Sequence, residues 1–217
     1  MQQSISKRQM ALYSLSVFAI TLSIVRVIYT QNLSYLFMIW NLFLAWIPYW
    51  LSNSKFRETK SINLISLLFI GTWLLFLPNA PYLLTDLVHF KAMSKTKWLD
   101  LIVLSSYALC GVLLFYLSLK QFKSCFLQNK SKTTQQLINL LILLLSAYGI
   151  YLGRELRFNS WDVISNPIGL INSVFSSVFN VNKILHTGAL TFIFAVFLYI
   201  SVIVFDYLLH PTNEKEN

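Results

Sequence analysis

The chain has 217 residues, of which 56% are apolar and only 12% are charged, about half the charged share of a typical soluble domain. This composition excludes a soluble globular domain, a disordered chain, a coiled coil and a secreted disulfide scaffold. It predicts an all-α integral membrane protein whose main partner is the lipid bilayer. The net charge of +9 comes mostly from short segments between apolar runs, which is the positive-inside pattern, so no nucleic-acid partner is expected.

Six apolar runs predict a polytopic bundle of about six transmembrane helices that forms a single integral membrane domain over residues 1–217. A helix needs about 20 residues to cross the hydrocarbon core. The predicted spans lie near residues 10–29, 33–51, 62–77, 99–119, 135–152 and 187–207. Ten Lys and Arg residues then fall on the side of the two termini and six on the other side, which predicts that both termini are cytoplasmic.

Residues 168–185 carry a helical pattern that differs from the six runs. Apolar residues such as Ile171 and Phe175 recur on one face, and polar residues such as Asn172 and Ser176 fall on the other. A wide polar face is typical of amphipathic helices at the membrane interface, so this segment is predicted to lie along the membrane surface. A seventh span is the alternative interpretation.

Two polar segments lie on the predicted outer side, LPNAPYLLTDLVHF at residues 77–90 and GRELRFNSWD at residues 153–162. Two spans separate these segments, so the chain is expected to return to the same membrane face. Arg26 lies about one turn from the outer end of the first span. A cation at that depth costs a few kcal/mol unless it pairs or reaches water. The candidate partners of Arg26 are Asp86, Glu155 and Asp162.

The first polar segment, residues 77–90, is predicted to be a loop that begins where Pro78 ends the third helix. Asn79 is a candidate ligand-binding residue within it. If the backbone is helical from residue 82 onward, Asp86 and His89 share one face at i and i+3, which suits a carboxylate–imidazole pair for acid–base work. The same spacing suits two metal ligands, but the other histidines are remote in sequence and no metal is predicted.

The second polar segment, residues 153–162, is predicted to begin with Gly153 in a left-handed conformation that ends the fifth span. Arg154 and Arg157 would share one face if a further helical turn followed. Asn159 would cap the next turn. Asp162 is the best candidate in this segment for a base or an ion-pair partner.

These residues suggest three functions of different classes. The first is a polar pocket on the extracytoplasmic face that binds, and in one version processes, an anionic lipid headgroup or a phosphate-type ligand. Its predicted ligand-binding residues are Arg26, Asn79, Arg154, Glu155, Arg157 and Asn159, and its predicted acid–base residues are Asp86, His89 and Asp162. The second is a non-enzymatic structural or accessory membrane subunit, and the third is a small transporter. The sequence assigns no cofactor, no protein partner and no definite enzyme activity.

Three motifs occur in order along the chain: WNLFLAWIPY at residues 40–49, LPNAPYLLTDLVHF at residues 77–90 and GRELRFNSWDV at residues 153–163. Together they resemble the bacterial multi-pass membrane protein family known as domain of unknown function 1361. The resemblance covers nearly the whole chain and implies a polytopic protein of the bacterial cytoplasmic membrane. Because no activity is established for the family, the resemblance implies no catalytic residues and does not decide the function.

Overall fold

The computed structural model describes residues 7–58, 63–93 and 95–209, and these residues form helices and no strand, as the all-α prediction requires. Short turns connect most of the helices. The α-helices are α1 (Lys7–Thr30), α2 (Phe37–Glu58), α3 (Leu64–Phe76), α4 (Asn79–Thr85), α5 (Lys97–Phe122), α6 (Lys132–Arg154), α7 (Asp162–Ser165), α8 (Pro167–Phe179) and α9 (Val181–Leu209).

Five helical segments of the described residues are long and apolar enough to cross a membrane, so the protein spans a membrane. They are Gln9–Thr30, Leu64–His89, Lys97–Leu127, Lys132–Arg154 and Val181–Leu209. Five of the six predicted spans fall on these segments. The sixth, residues 33–51, corresponds to α2, which has the length of a span but is made less apolar by its tryptophans, Asn41 and its polar last turns. The count of six spans and the cytoplasmic position of the termini stay predictions.

The chain divides into two compact units, Met1–Phe122 and Lys123–Asn217. The first contains α1 to α5 and the second contains α6 to α9. The two polar segments of the sequence belong to different units, so their expected placement on one membrane face stays a prediction. The same holds for the prediction of a single domain over residues 1–217.

In the first unit, α5 is buried along most of its length and packs against α1, α2 and α4. The contact with α4 is close at Gly111, where a Cβ atom would clash with the backbone carbonyl oxygen of Ala80. Small residues allow helices in membranes to approach in this way. At the C-terminal end of α5, Trp73 of α3 is fully buried, stacks on Phe122 at 4.6 Å between ring centroids and donates a hydrogen bond to the Ser118 hydroxyl.

The prediction of a loop at residues 77–90 is wrong, because this segment is helical. Leu77 and Pro78 keep right-handed helical backbone angles between α3 and α4, and a single turn of 3₁₀ helix, Asp86–His89, extends α4. Pro78 and Pro81 fit because they precede or occupy the first turn of α4, where a helix needs no backbone N–H donor. The helical run that starts at Leu64 therefore continues to His89.

In the second unit, α6 and α8 both pack against α9. The prediction of one helix over residues 168–185 is wrong, because α8 ends at Phe179 and the remaining residues begin α9. Asn180 has an extended backbone conformation, and its side-chain oxygen accepts a hydrogen bond from the backbone N–H of Asn182, which caps α9. The 13 residues of α8 cover about 20 Å, too short for the roughly 30 Å hydrocarbon core. Its location in the membrane interface stays a prediction.

Candidate functional site

Arg26 forms a buried ion pair in the first unit, and its partner is Asp100. Arg26 Nε donates to Asp100 Oδ1 at 3.0 Å, and Arg26 Nη1 donates to the backbone carbonyl of Asn32 at 2.9 Å. The guanidinium carbon lies 4.3 Å from the centroid of the Tyr35 ring. Thr96 donates its hydroxyl to the second carboxylate oxygen of Asp100.

The partners expected for Arg26, namely Asp86, Glu155 and Asp162, are therefore wrong. Asp100 lies in the first turn of α5, the helix against which α1 packs, so helix packing brings it to the end of α1 where Arg26 lies. Arg26 is only 7% exposed and Asp100 only 1%. With its fork engaged and its surface covered, Arg26 is better suited to joining α1 to α5 than to holding a ligand.

Asp86 and His89 are brought together on the 3₁₀ turn that follows α4. Asp86 Oδ1 lies 4.0 Å from His89 Nε2, and Asp86 Oδ2 accepts a hydrogen bond from Asn41 Nδ2 at 3.2 Å. The Asp86 side chain is only 1% exposed, whereas that of His89 is 44% exposed. The Tyr35 hydroxyl donates to the backbone carbonyl of His89 and fixes the turn. His89 is therefore the exposed member of this carboxylate–imidazole pair.

Other expected ligand groups of the first unit have structural contacts. The Asn79 side chain donates to the backbone carbonyl of Phe76 at 2.9 Å, so it ties the start of α4 to the end of α3. Over residues 7–58, 63–93 and 95–209, no cluster of three or more His, Cys, Asp or Glu side chains is arranged to hold a metal ion.

The backbone of the second polar segment differs from the prediction at two points. Gly153 is an ordinary helical residue, and the left-handed residue is Arg157, with φ of 60°. Helix α6 ends at Arg154, so Arg154 and Arg157 do not share a helical face. The chain turns at this point, and the backbone N–H of Phe158 donates a hydrogen bond to the backbone carbonyl oxygen of Leu152 at 3.1 Å.

Asp162 stabilises the turn that follows. Its carboxylate accepts the backbone N–H of Asn159 at 2.7 Å and the hydroxyl of Ser165 at 2.8 Å. These two hydrogen bonds, the one from Asn159 first, lower the pKa of the Asp162 carboxyl below its ordinary value of 3.8. Asn159 was expected to cap this turn with its side chain. Instead, the carboxylate of Asp162 accepts a hydrogen bond from the backbone N–H of Asn159. Because the ionised carboxylate of Asp162 already accepts these hydrogen bonds, it is better suited to a structural role than to that of a general base.

The second unit contains a polar cavity of about 440 Å³ between the end of α6, the polar side of α8 and the start of α9. Glu155 is the only predicted site residue in its wall. The carboxylate of Glu155 lies 3.7 Å from His186 Nε2. The lining residues are Tyr151, Glu155, Leu156, Asn172, Ser173, Ser176, Ser177, Asn182, Lys183 and His186.

Helix α8 turns its polar side toward this cavity and its apolar side outward. Ser177 is buried, and its hydroxyl is hydrogen-bonded to that of Tyr148 on α6 at 2.7 Å. On the opposite side, Ile168 is 74% exposed and Phe175 is 59% exposed. The polar residues of α8 were therefore correctly placed on one face by the sequence pattern, but that face lines a cavity of the unit.

Sequence reasoning missed Lys183 and His186 as site residues. Lys183 donates to the Ser176 hydroxyl at 3.0 Å, and His186 faces Glu155 from the first turns of α9. The helical spacing of Asn172, Ser176 and Lys183 was the available signal. The sequence pattern assigns this polar face to a surface in contact with headgroups and water, because no pattern in the sequence shows that α6 and α9 pack next to it.

The fold and this cavity define a helical membrane-spanning protein with a polar pocket among its helices. The sequence model of the family described as Protein of unknown function (DUF1361) matches residues 40–203, about three quarters of the chain, so the chain belongs to this family. The matched region contains all three motifs on which the resemblance depends. A search of curated proteins and a search of solved structures found no match.

Proposed function

We propose that the protein binds the phosphate-bearing headgroup of an anionic lipid, or a small phosphate-type ligand, in the polar cavity at the end of α6. One observation supports this proposal above the others. In a unit with an apolar exterior, α8 presents its polar side to a cavity of about 440 Å³ and its apolar side to the surroundings. Ligand sites are typically concave and contain a few polar groups that converge, and this volume is within their usual range of about 300–1,000 Å³.

The charges in the cavity suit a phosphate group. Lys183 supplies a permanent cation, and His186 supplies a second one whenever its imidazole is protonated. Amide and hydroxyl groups of α8 and α9 add hydrogen-bond donors. Of the lining residues that the structure describes, only Glu155 has a carboxylate, and it faces His186. Because Glu155 lies next to His186, we expect the anion to bind on the side of the cavity where Lys183 lies.

A lipid fits the surroundings of the cavity better than a free anion does. Large apolar side chains lie exposed next to it, including Phe179 at the end of α8 and Leu185 at the start of α9. The cavity has room for a headgroup but not for two acyl chains. Acyl chains of a lipid bound by its headgroup would therefore lie along these exposed side chains and cover them.

The cavity also contains one acid–base pair, Glu155 and His186. With 3.7 Å between carboxylate and imidazole, a small side-chain movement brings them into hydrogen-bond contact, after which the pair can accept or donate a proton at a bound headgroup. We include processing of the ligand in the proposal only in this sense. The expected acid–base residues Asp86 and His89 belong to the first unit, and Asp162 is already engaged in its turn.

Lipid titration of the purified protein tests the proposal. Native mass spectrometry in detergent would count bound phosphatidylglycerol and phosphatidylcholine on the unmodified protein and on Lys183→Gln. We expect preferential binding of phosphatidylglycerol, weakened about tenfold by Lys183→Gln, because a charge-assisted hydrogen bond to phosphate contributes about 1.5–3 kcal/mol. The same measurement with water-soluble glycerophosphoglycerol, which is the headgroup alone, or with inorganic phosphate would distinguish a lipid from a free anion. Binding of phosphatidylglycerol without binding of either soluble compound would identify a lipid, and binding of inorganic phosphate would identify a free anion.

The matched control is Lys91→Gln, which removes one exposed lysine from the first unit. Equal losses in Lys183→Gln and Lys91→Gln would show that only overall charge matters and would refute the proposal. Equal binding of both lipids by the unmodified protein would do the same.

A second candidate function, a non-enzymatic structural or accessory membrane subunit, is favoured by the first unit. There Arg26, Asp100 and Asp86 are buried and have contacts that join helices. A scaffold needs such contacts and no open site. Affinity purification in mild detergent tests this candidate: a partner protein recovered in stoichiometric amount supports it, and recovery of the chain alone contradicts it.

A further inference from the structure

The first residues of the second unit carry positive charge that no acid in the same stretch balances. Between Lys123 and Arg154 the sequence contains no Asp and no Glu, whereas Lys123, Lys130 and Lys132 occur within ten residues. A short π-helical turn, Lys123–Leu127, precedes α6. The sequence pattern accounts for these lysines as topology signals, but the structure arranges two of them around a cavity.

This cavity has a volume of about 220 Å³ and lies beside the first two turns of α6. That volume is several times the roughly 30 Å³ that one water molecule occupies in the liquid, so a phosphate group fits. Among the residues that the structure describes, the lining contains cations and amides and no carboxylate. The lining residues are Lys123, Lys132, Gln135, Gln136 and Asn139.

Two further features of this cavity suit a ligand that carries both a phosphate group and a hydroxyl group. The start of α6 contributes the positive end of its helix dipole, which attracts anions. The side-chain oxygen Oδ1 of Asn139 is buried and has no hydrogen-bond donor within the part of the chain that the structure describes. A buried acceptor without a donor is costly. A hydroxyl of the ligand offers this oxygen a donor while the lysines bind the phosphate.

We propose that this cavity binds the phosphate group of an anionic phospholipid with a hydroxyl-bearing headgroup. The position of the cavity favours a lipid over free phosphate, because it lies at the start of α6, which is long and apolar enough to cross a membrane, and the ends of such helices lie near the lipid headgroups. The site lies at the opposite end of α6 from Glu155. It is therefore separate from the cavity of the proposed function and does not depend on it.

Native mass spectrometry of the full-length protein with phosphatidylglycerol tests this site. We expect the double variant Lys123→Gln/Lys132→Gln to bind the lipid about a hundredfold more weakly at one of its sites, since two charge-assisted contacts, each worth about tenfold, are lost. Lys130→Gln is the matched control, because it removes one exposed lysine of the same stretch that does not line the cavity. It should change binding less than about twofold. Lys123→Arg/Lys132→Arg keeps both charges and should retain binding.

The outcomes separate this site from the other cavity and from a free-anion site. Lys183→Gln combined with the double variant should remove two lipid-binding events, whereas each alone removes one. The proposal is overturned if Lys130→Gln weakens binding as much as the double variant does, or if the double variant binds normally. It is also overturned if millimolar inorganic phosphate binds the site and the lipid does not. Equal thermal midpoints of the variants would verify that the losses are not due to unfolding.

Discussion

The two polar segments, residues 77–90 and 153–162, each follow an apolar run of the sequence, but their structures differ. The first is a helix packed closely on α5, and its buried carboxylate, Asp86, is hydrogen-bonded to Asn41. The second is a turn at the end of α6 in which no residue is fully buried, and its Glu155 faces a cavity. A motif rich in polar residues can therefore be a packing element or a ligand site. Burial distinguishes the two, because a buried polar group with its hydrogen bonds made has nothing left to offer a ligand.

The largest effect is expected where the first unit buries charge. Asp100→Leu should lower the free energy of unfolding by about 3–5 kcal/mol, because Arg26 would be left as a buried charge without its carboxylate. Chemical unfolding in detergent micelles measures the loss. Lys91→Ala, at an exposed position, should stay within about 0.5 kcal/mol of the unmodified protein.

The double variant Arg26→Leu/Asp100→Leu provides the complementary measurement. Replacing both charges by apolar groups should recover most of the lost stability. A loss below about 1 kcal/mol in Asp100→Leu would contradict a structural role of the pair. That result would also contradict the assignment of the buried charges of the first unit to helix packing.

The next effect concerns the packing of the first polar segment on α5. Gly111→Ala should destabilise the protein by about 1–3 kcal/mol, because the added Cβ would meet the backbone oxygen of Ala80 and force α4 away. Gly71→Ala is the matched control, since no atom of the described residues outside its own stretch of helix lies within 4 Å of its added Cβ. It should be neutral or stabilising by up to about 1 kcal/mol. Identical unfolding midpoints for the two variants would show that α4 is not held tightly.

A smaller effect is expected for the helix that covers the cavity of the second unit. Tyr148→Phe removes the hydrogen bond to Ser177 that joins α6 to α8, and should cost about 1 kcal/mol. Hydrogen–deuterium exchange should show faster exchange in α8, with the first unit unchanged. Tyr199→Phe, at an exposed position on α9, serves as the control. Unchanged exchange in α8 would mean that this bond does not hold the helix in place.

The smallest effect concerns the turn at Asp162 and depends on pH. Hydrogen bonds lower the pKa of this carboxyl in the folded protein below its ordinary value of 3.8, so the turn gains stability above that value and loses it as the pH falls through the lowered pKa. Exchange protection of residues 162–165 should therefore be constant from neutral to mildly acidic pH and decrease only below it. Asp162→Asn should remove this pH dependence. Loss of protection already near neutral pH would contradict the assignment.

The sequence predicts the helices well and their breaks poorly. Long apolar runs identify the five segments that can cross a membrane, because each needs about 20 apolar residues and little else. Two breaks were misplaced for physical reasons. Pro78 was expected to start a loop, but a proline before the first turn of a helix is compatible with helical geometry. Asn180 was expected inside a helix, but its side chain caps α9.

The candidate site was less predictable, because it depends on which helices are neighbours. Arg26 was expected to need a carboxylate, and it has one, but the choice of Asp100 follows from the packing of α1 on α5. The Asp86–His89 pair was predictable from i, i+3 spacing alone. His186 and Glu155 are 31 positions apart in sequence, and only the antiparallel packing of α6 and α9 brings them together.

The orientation of α8 has a consequence for how the protein is made. A helix of 13 residues with one polar side is too short to insert into a bilayer as an independent span. Its buried contact, Ser177 with Tyr148, requires that α6 is already in place, and its polar side is covered only once α9 has followed. We therefore expect α8 to dock late during biogenesis, after its flanking helices have entered the membrane. A nascent chain that stops before α9 would expose serines and asparagines to lipid and be a target for quality-control proteases.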